Sequence, residues 1–234
     1  MEDLPRFYQP EAQLGQAFSL TDEEARHAKV LRLQAADQVH VIDGKGSLYL
    51  ANIQPIKRSF EINILQLELR EEKPETQFVL AVAPTKNMNR FEWVIEKAVE
   101  VGVREIIPIR CDNSERVHLK LERLDKIAVS AMKQSKALWK TEIHELTEFG
   151  QILSSNYPEK LIAHCQSGDK ESIRKLTESD VSQLVCIGPE GDFSSNEISN
   201  ASDFGFQSLS LGSQRLRTET AAIAVCIAAN LFRP

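Results

Sequence analysis

From residue 77 onward the chain alternates short apolar runs with amphipathic segments, and few architectures accept that alternation. Residues 78–83, 105–109, 161–165, 184–187 and 207–211 read as strands, and the run at 78–83 is apolar without a break, as in a strand buried on both faces. Residues 91–101 place Phe91, Ile95, Ala98 and Val99 on one helical face, with Asn87 or Asn89 as cap and Gly102 as stop. Residues 121–138 do the same with Leu124, Ile127, Ala128, Ala131 and Leu138. Residues 141–146 read as a strand and 148–153 as a short helix. The Ser194-Ser195-Asn196-Glu197 sequence is a capping box opening a helix that runs to about Phe204, and an Ala-rich helix follows Thr218. Strand and helix in turn predict an α/β fold with a parallel sheet covered on both faces.

The chain before this region has a different pattern. Residues 1–72 are mostly β, with a hairpin around Asp43-Gly44-Lys45-Gly46 and a further strand at 60–69. A short helix capped by Thr21 or Asp22 precedes the hairpin, and Arg26, His27, Lys29 and Arg32 gather at its far end. This stretch holds eight basic against twelve acidic residues, so the cationic group is local. It is either a solvated helix end that complements the dipole or the phosphate-facing side of a small RNA-docking barrel. Residues 70–76, charged and interrupted by Pro74, make the best linker. The expected division is 1–72 and 73–234.

The formal charge of −6 over 234 residues argues against nonspecific nucleic-acid binding, although a basic patch can survive it. The N-terminal stretch lacks the pattern of a signal peptide, and no apolar run approaches the roughly 20 residues that span a bilayer. Cys111, Cys165, Cys186 and Cys226 are scattered without metal-ligand spacing, and three lie in apolar runs. A reduced, cytoplasmic protein without metal, disulfide or membrane contact is the expectation.

Two loops carry the chemistry. The strand ending at Ile187 delivers Gly188-Pro189-Glu190-Gly191, and the strand ending at Leu211 delivers Gly212 through Thr220. Each opens toward a helix, where an α/β domain offers main-chain N–H groups to a ligand. Neither is a dinucleotide fingerprint or a Walker loop, so a triphosphate is not favoured. Few glycines, one proline and apolar neighbours suit adenine held between Ile187 and Leu216. Glu190 and Glu219 can meet a positive ligand centre such as a sulfonium. Each also has a plain structural use: glycine turns reverse the chain, and Glu219 suits the first turn of a helix.

The segments NRFEWVIEKAVEVGV, KQS at residues 133–135, GPEGDFSSNE and LGSQRLRTETA, together with RFY at residues 6–8, HAKVLRL at residues 27–33 and the DGKG turn, resemble the RsmE family of 16S ribosomal RNA uridine N3-methyltransferases. The resemblance spans nearly the whole chain. It implies a PUA-like RNA-binding β-barrel over 1–72. Residues 73–234 would form a SPOUT-class methyltransferase domain, homodimeric, with a deep trefoil knot and S-adenosylmethionine as methyl donor. The cofactor segments it implies are Cys165, Ile187, Gly188, Pro189, Glu190, Gly191, Leu211, Gly212, Leu216, Thr218, Thr220 and Ala221. Four positions depart from the family: Asp192 stands where Gly is common, Leu216 for Ile, Ala137 for Arg and Thr141 for Pro.

On that reading a cation favours the uracil anion that loses its N3 proton, and Arg217 and Arg90 are the candidates, with Lys97 weaker. Glu219 either orients an arginine or accepts the proton. Arg6, His27, Lys29, Arg32, Lys97, Lys133 and Gln134 face the 16S ribosomal RNA of the small subunit. The alternative is a non-catalytic RNA-binding factor on a decayed methyltransferase scaffold, which would bind no methyl donor.

Overall fold

The computed structural model describes residues 4–57 and 59–231; residues 1–3, at the head of the N-terminal stretch discussed above, and Arg58 lie outside them. The chain divides into two compact units, one of residues 1–73 with 132–140 and one of residues 74–131 with 141–234.

The first unit holds β1 (Arg6–Tyr8), β2 (Ala17–Ser19), helix α1 (Asp22–Val30), β3 (Gln38–Ile42), β4 (Ser47–Ile56) and β5 (Ser59–Arg70). They form one five-stranded sheet in the order β1-β3-β4-β5-β2, antiparallel except where β1 runs parallel to β3. Thr21 caps α1, its hydroxyl accepting from the Glu24 N–H. The expected hairpin joins β3 to β4, and its turn is fixed by Asp43, whose Oδ1 accepts from the N–H groups of Lys45 at 2.7 Å and Ser47 at 2.9 Å. Phe7, Val39, Val41, Ala51, Ile53 and Ile62 fill the core beneath α1. Residues 132–140 are stitched to the hairpin: the Leu138 carbonyl accepts from Gly46 N–H, and the Gly44 carbonyl from Lys140 N–H.

The second unit begins with β6 (Phe78–Val82), α2 (Met88–Glu100) and β7 (Glu105–Arg110). Helix α3 (Leu121–Ser135) follows, then β8 (Glu142–Ile143), β9 (Thr147–Glu148), α4 (Phe149–Leu153) and β10 (Glu159–Ala163). The chain continues through β11 (Glu171–Ser172), α5 (Lys175–Glu178), β12 (Gln183–Ile187), α6 (Ser195–Asp203), β13 (Gln207–Ser210) and α7 (Thr218–Leu231). The sheet runs β11-β13-β10-β12-β6-β7-β8, with β9 also on β7, and every pairing is parallel. Every residue of β6 is buried, as its unbroken apolar run requires. Val79, Ala81 and Ala83 pack with Phe149, Ile152, Phe193 and Ala201 from the α4 and α6 side. The opposite face takes α7, which packs on β6, β12 and α2.

Several boundaries move. Asn87, not Asn89, caps α2 by accepting from the Asn89 N–H. Helix α3 stops at Ser135 instead of continuing to Leu138, because Lys136 takes a left-handed φ of 64°. Thr141 is buried and donates its hydroxyl to the Val103 carbonyl at 2.6 Å. That bond fixes the chain at a position where proline is common in the resembled family. Of the strand expected over 141–146 only β8, residues 142–143, forms, and β9 begins just beyond it at Thr147.

Candidate methyl-donor site

The register fixes where the loops leave the sheet. Ala163 at the end of β10 is level with Ile187 of β12 on one side and Leu209 of β13 on the other. The loops after these three adjacent parallel strands therefore emerge together at their C-terminal edge, where open α/β sheets hold ligands. They enclose a cleft of about 650 Å³. Ala163, His164, Cys165 and Lys170 line it from the first loop, Ile187 to Glu190 and Asp192 from the second, and Leu209 to Thr218 with Ala221 from the third.

Of the residues expected at the cofactor, the cleft brings together Cys165, Ile187, Gly188, Pro189, Glu190, Leu211, Gly212, Leu216, Thr218 and Ala221. Gly191 and Thr220 are not in its lining. Gly191 instead packs on Asn113, whose side-chain amide donates to the Gly191 carbonyl at 3.2 Å. Two glycines are required for different reasons. A Cβ at Gly188 would sit 2.9 Å from the Phe193 ring, whereas Gly212 has open space but a φ of +114°. Thr218 is buried and donates its hydroxyl to the Gly188 carbonyl at 3.1 Å, tying the start of α7 to the loop after β12. Glu190 spends one oxygen on the Lys86 N–H at 2.9 Å.

Arg217 lines the cleft and is exposed. Arg90 and Glu219, from α2 and α7, meet each other: Nη1 lies 3.3 Å from Oε1, with side chains 42 % and 13 % exposed. The second Glu219 oxygen is buried without a hydrogen-bond partner. Lys97 lies outside the cleft lining, held by Glu96 and Glu100 at 2.8 Å each, and its pKa is raised first by the Glu100 hydrogen bond and then by that of Glu96.

The other expected cations sit in the first unit. Arg6 donates to the Lys136 carbonyl at 2.7 Å, and His27 packs edge-on against Phe7. His27, Lys29, Arg32 and Gln134 are exposed. Lys133 differs: its ammonium lies 2.6 Å from Glu24, with side chains 19 % and 12 % exposed, so its charge is largely spent inside the unit.

Among the cleft residues outside the expected set are His164, Lys170 and Asp192. His164 lies 2.9 Å from the Ser208 hydroxyl, and its pKa is lowered by burial and then by the Lys170 charge, against an opposing pull from Asp192. Lys170 donates to the His164 carbonyl at 2.6 Å. Asp192 adopts a φ of +65°, which explains why glycine suits the position. It lies next to the Gly188–Gly191 loop, the one signal that pointed to it.

Three of the four cysteines, Cys111, Cys186 and Cys226, are buried, and burial raises each thiol well above its ordinary pKa; Cys165 is exposed at the cleft. Among the described residues no group of His, Cys, Asp and Glu is arranged to hold a metal. Nor is any described helix long and apolar enough to cross a membrane.

Comparison with known proteins shows the family to which the chain belongs. Residues 71–230 match the RNA methyltransferase domain family, and residues 20–65 match the RNA methyltransferase PUA domain. A ribosomal RNA small subunit methyltransferase E from Mesomycoplasma hyopneumoniae is 32% identical over 88% of this chain and 90% of its own length. The crystal structure of a probable rRNA-methyltransferase from Porphyromonas gingivalis is 36% identical, with a TM-score of 0.89 over 98% of each chain. A putative methyltransferase from Legionella pneumophila, solved with the bound cofactor SAM, is 28% identical with a TM-score of 0.87, again over 98% of each chain. The chain belongs to the ribosomal RNA small subunit methyltransferase E family, an α/β RNA methyltransferase domain preceded by a PUA domain.

Proposed function

We propose that this protein transfers a methyl group from S-adenosylmethionine to N3 of a uridine in the 16S RNA of the small ribosomal subunit. The observation that carries the reading is the convergence of three loops, after β10, β12 and β13, on one cleft in a chain of this family. The cleft fits the donor on its own terms. Its volume falls in the range of about 300–1,000 Å³ usual for small-ligand sites, and Leu209, Leu211, Leu216 and Ala221 supply apolar walls beside main-chain groups of residues 187–190. When bound, the cofactor supplies an electrophilic methyl carbon on a sulfonium, which accepts the N3 electron pair as the sulfur keeps the old bond's electrons.

The protein's own residues do the rest. Main chain of residues 187–190 and 211–216 reads adenine, and Gly188 and Gly212 let that backbone approach. Arg217, exposed at the cleft, favours the uracil anion left when the N3 proton departs. The Arg90–Glu219 pair stands in the first turns of α2 and α7, beyond the residues that line the cleft, with Glu219 either orienting Arg90 or taking the proton on its unpartnered oxygen. Alignment and exclusion of water carry most of the rate.

Residues 1–72 form the RNA-docking barrel, with Arg6, His27, Lys29 and Arg32 positioning phosphates and Gln134 beside them; residues 73–234 form the SPOUT domain. Its last segment is threaded as a deep trefoil knot, a reading supported by β13 pairing beyond β10 while α7 returns to β6 and β12. Two copies pair in the cytoplasm through α2 and α7, where Trp93 is 43 % and Leu231 61 % exposed.

The test is mass mapping of 16S RNA from cells lacking the protein, before and after treatment with it and S-adenosylmethionine. A single uridine gaining one methyl group at N3 is the expected result; an unchanged map refutes the reading.

A further inference from the structure

We propose that Asp192 and Lys170 are positioning residues that clamp the peptide between His164 and Cys165 from its two ends, and so set the shape of the cleft wall for the methyl donor. The inference rests on the donor site argued above.

That peptide joins the first two residues beyond Ala163, where β10 ends and its ladders with β12 and β13 stop, so no ladder partner orients it. Its N–H, from Cys165, donates to Asp192 Oδ2 at 2.8 Å. Its carbonyl, from His164, accepts from the Lys170 ammonium at 2.6 Å. An anion holds the nitrogen end and a cation the oxygen end of one peptide plane. Flipping the plane would turn the carbonyl toward the carboxylate and the N–H toward the ammonium, replacing two charge-assisted bonds by two repulsions.

Asp192 is itself held from several sides. Its Oδ1 accepts from the Phe193 N–H at 2.9 Å, its own N–H donates to the Pro189 carbonyl at 2.9 Å, and its carbonyl accepts from the Asn113 side chain at 3.0 Å. The left-handed φ of +65° aims the side chain across the cleft edge, a conformation that Asp tolerates better than most residues. Asp192 and Lys170 both line the cleft, and one carboxylate joins the loop after β12 to the loop after β10. A glycine at this position satisfies the same backbone but leaves the Cys165 N–H without its carboxylate partner.

The test uses the full chain as wild type, D192G, D192N, K170M and the D192G/K170M double variant. Glycine relaxes the positive φ, so D192G reports the lost carboxylate without added strain. Three quantities are read: hydrogen exchange at the Cys165 amide, calorimetric affinity for S-adenosylmethionine, and the donor KM and kcat on small subunits. The expected result for D192G is faster Cys165 exchange and an about tenfold weaker donor Kd, equal to about 1.4 kcal/mol. KM should rise with it while kcat stays within about twofold, since the clamp shapes binding and touches no reacting atom. D192N keeps an acceptor for the Cys165 N–H and should recover most of the affinity. The double variant should lose little more than either single one, because the two side chains act on one peptide. Unchanged Cys165 exchange or donor Kd in D192G overturns the clamp, as do additive losses in the double variant. Alkylation of the exposed Cys165 thiol in wild type separates this from the site itself. If the donor slows alkylation and D192G still binds normally, only the clamp fails; if the donor gives no protection, the site reading fails and takes the clamp with it.

Discussion

Replacing Thr218 by valine tests how the third loop of the cleft is anchored. Valine has nearly the same shape, so packing is kept and the hydroxyl alone is removed. Thr218 is 5% exposed and its hydroxyl is 3.1 Å from the Gly188 carbonyl, across 30 residues of sequence. A neutral hydrogen bond of this kind contributes about 1 kcal/mol net, and a buried acceptor left without a donor costs about 1–3 kcal/mol. Gly188 and the bond are both buried, so the loss is at least the net value of the bond, about 1 kcal/mol. For a chain of this size that is a fall in Tm of about 2–4 °C. The donor Kd should weaken by about fivefold, since the start of α7 and the loop after β12 lose their mutual tether. Thr218→Ser keeps the hydroxyl and should restore the affinity. Thermal melts and calorimetric titration read both effects; wild-type values for the valine variant would refute the tether.

Three further outcomes follow from the same geometry. Arg217→Ala should keep donor binding while turnover on small subunits falls by about 10²–10³-fold, measured by single-turnover methylation. His164 is held below its ordinary 6.5, so the unfolded chain takes up the proton more readily than the folded one. Stability is therefore complete above about pH 6.5 and declines below it, and His164→Gln should lessen the drop in Tm between about pH 7 and pH 5. Lys133→Met strands the largely buried Glu24 carboxylate and should destabilise the first unit by about 2 kcal/mol, whereas adding Glu24→Gln should recover much of that in a denaturant titration.

Local signals carried most of the fold. The apolar run of β6 is buried residue for residue, and the Ser194–Glu197 capping box forms with both its bonds. Phe91, Ile95, Ala98 and Val99 are all buried, as their spacing predicts. What the pattern did not reveal depends on distant partners. Strand β1 has only three residues and exists by pairing with β3 more than thirty residues later. The end of α3 is set by Lys136 turning left-handed, which no propensity of that residue suggests. Gly188, Gly212 and Arg217 were legible because glycine and charge stand out beside apolar strands. Asp192 and Lys170 were not, since their meaning lies in a peptide 27 residues from one and six from the other. The PUA and methyltransferase assignments rested on resemblance, which the family matches bear out.

The measurement closest to the central claim is a crystal structure of the protein soaked with S-adenosylmethionine. The account requires the adenosine against the main chain of residues 187–190 and 211–216, with the methyl carbon open toward Arg217. Donor density anywhere else on the chain, or none at saturating concentration, would contradict it.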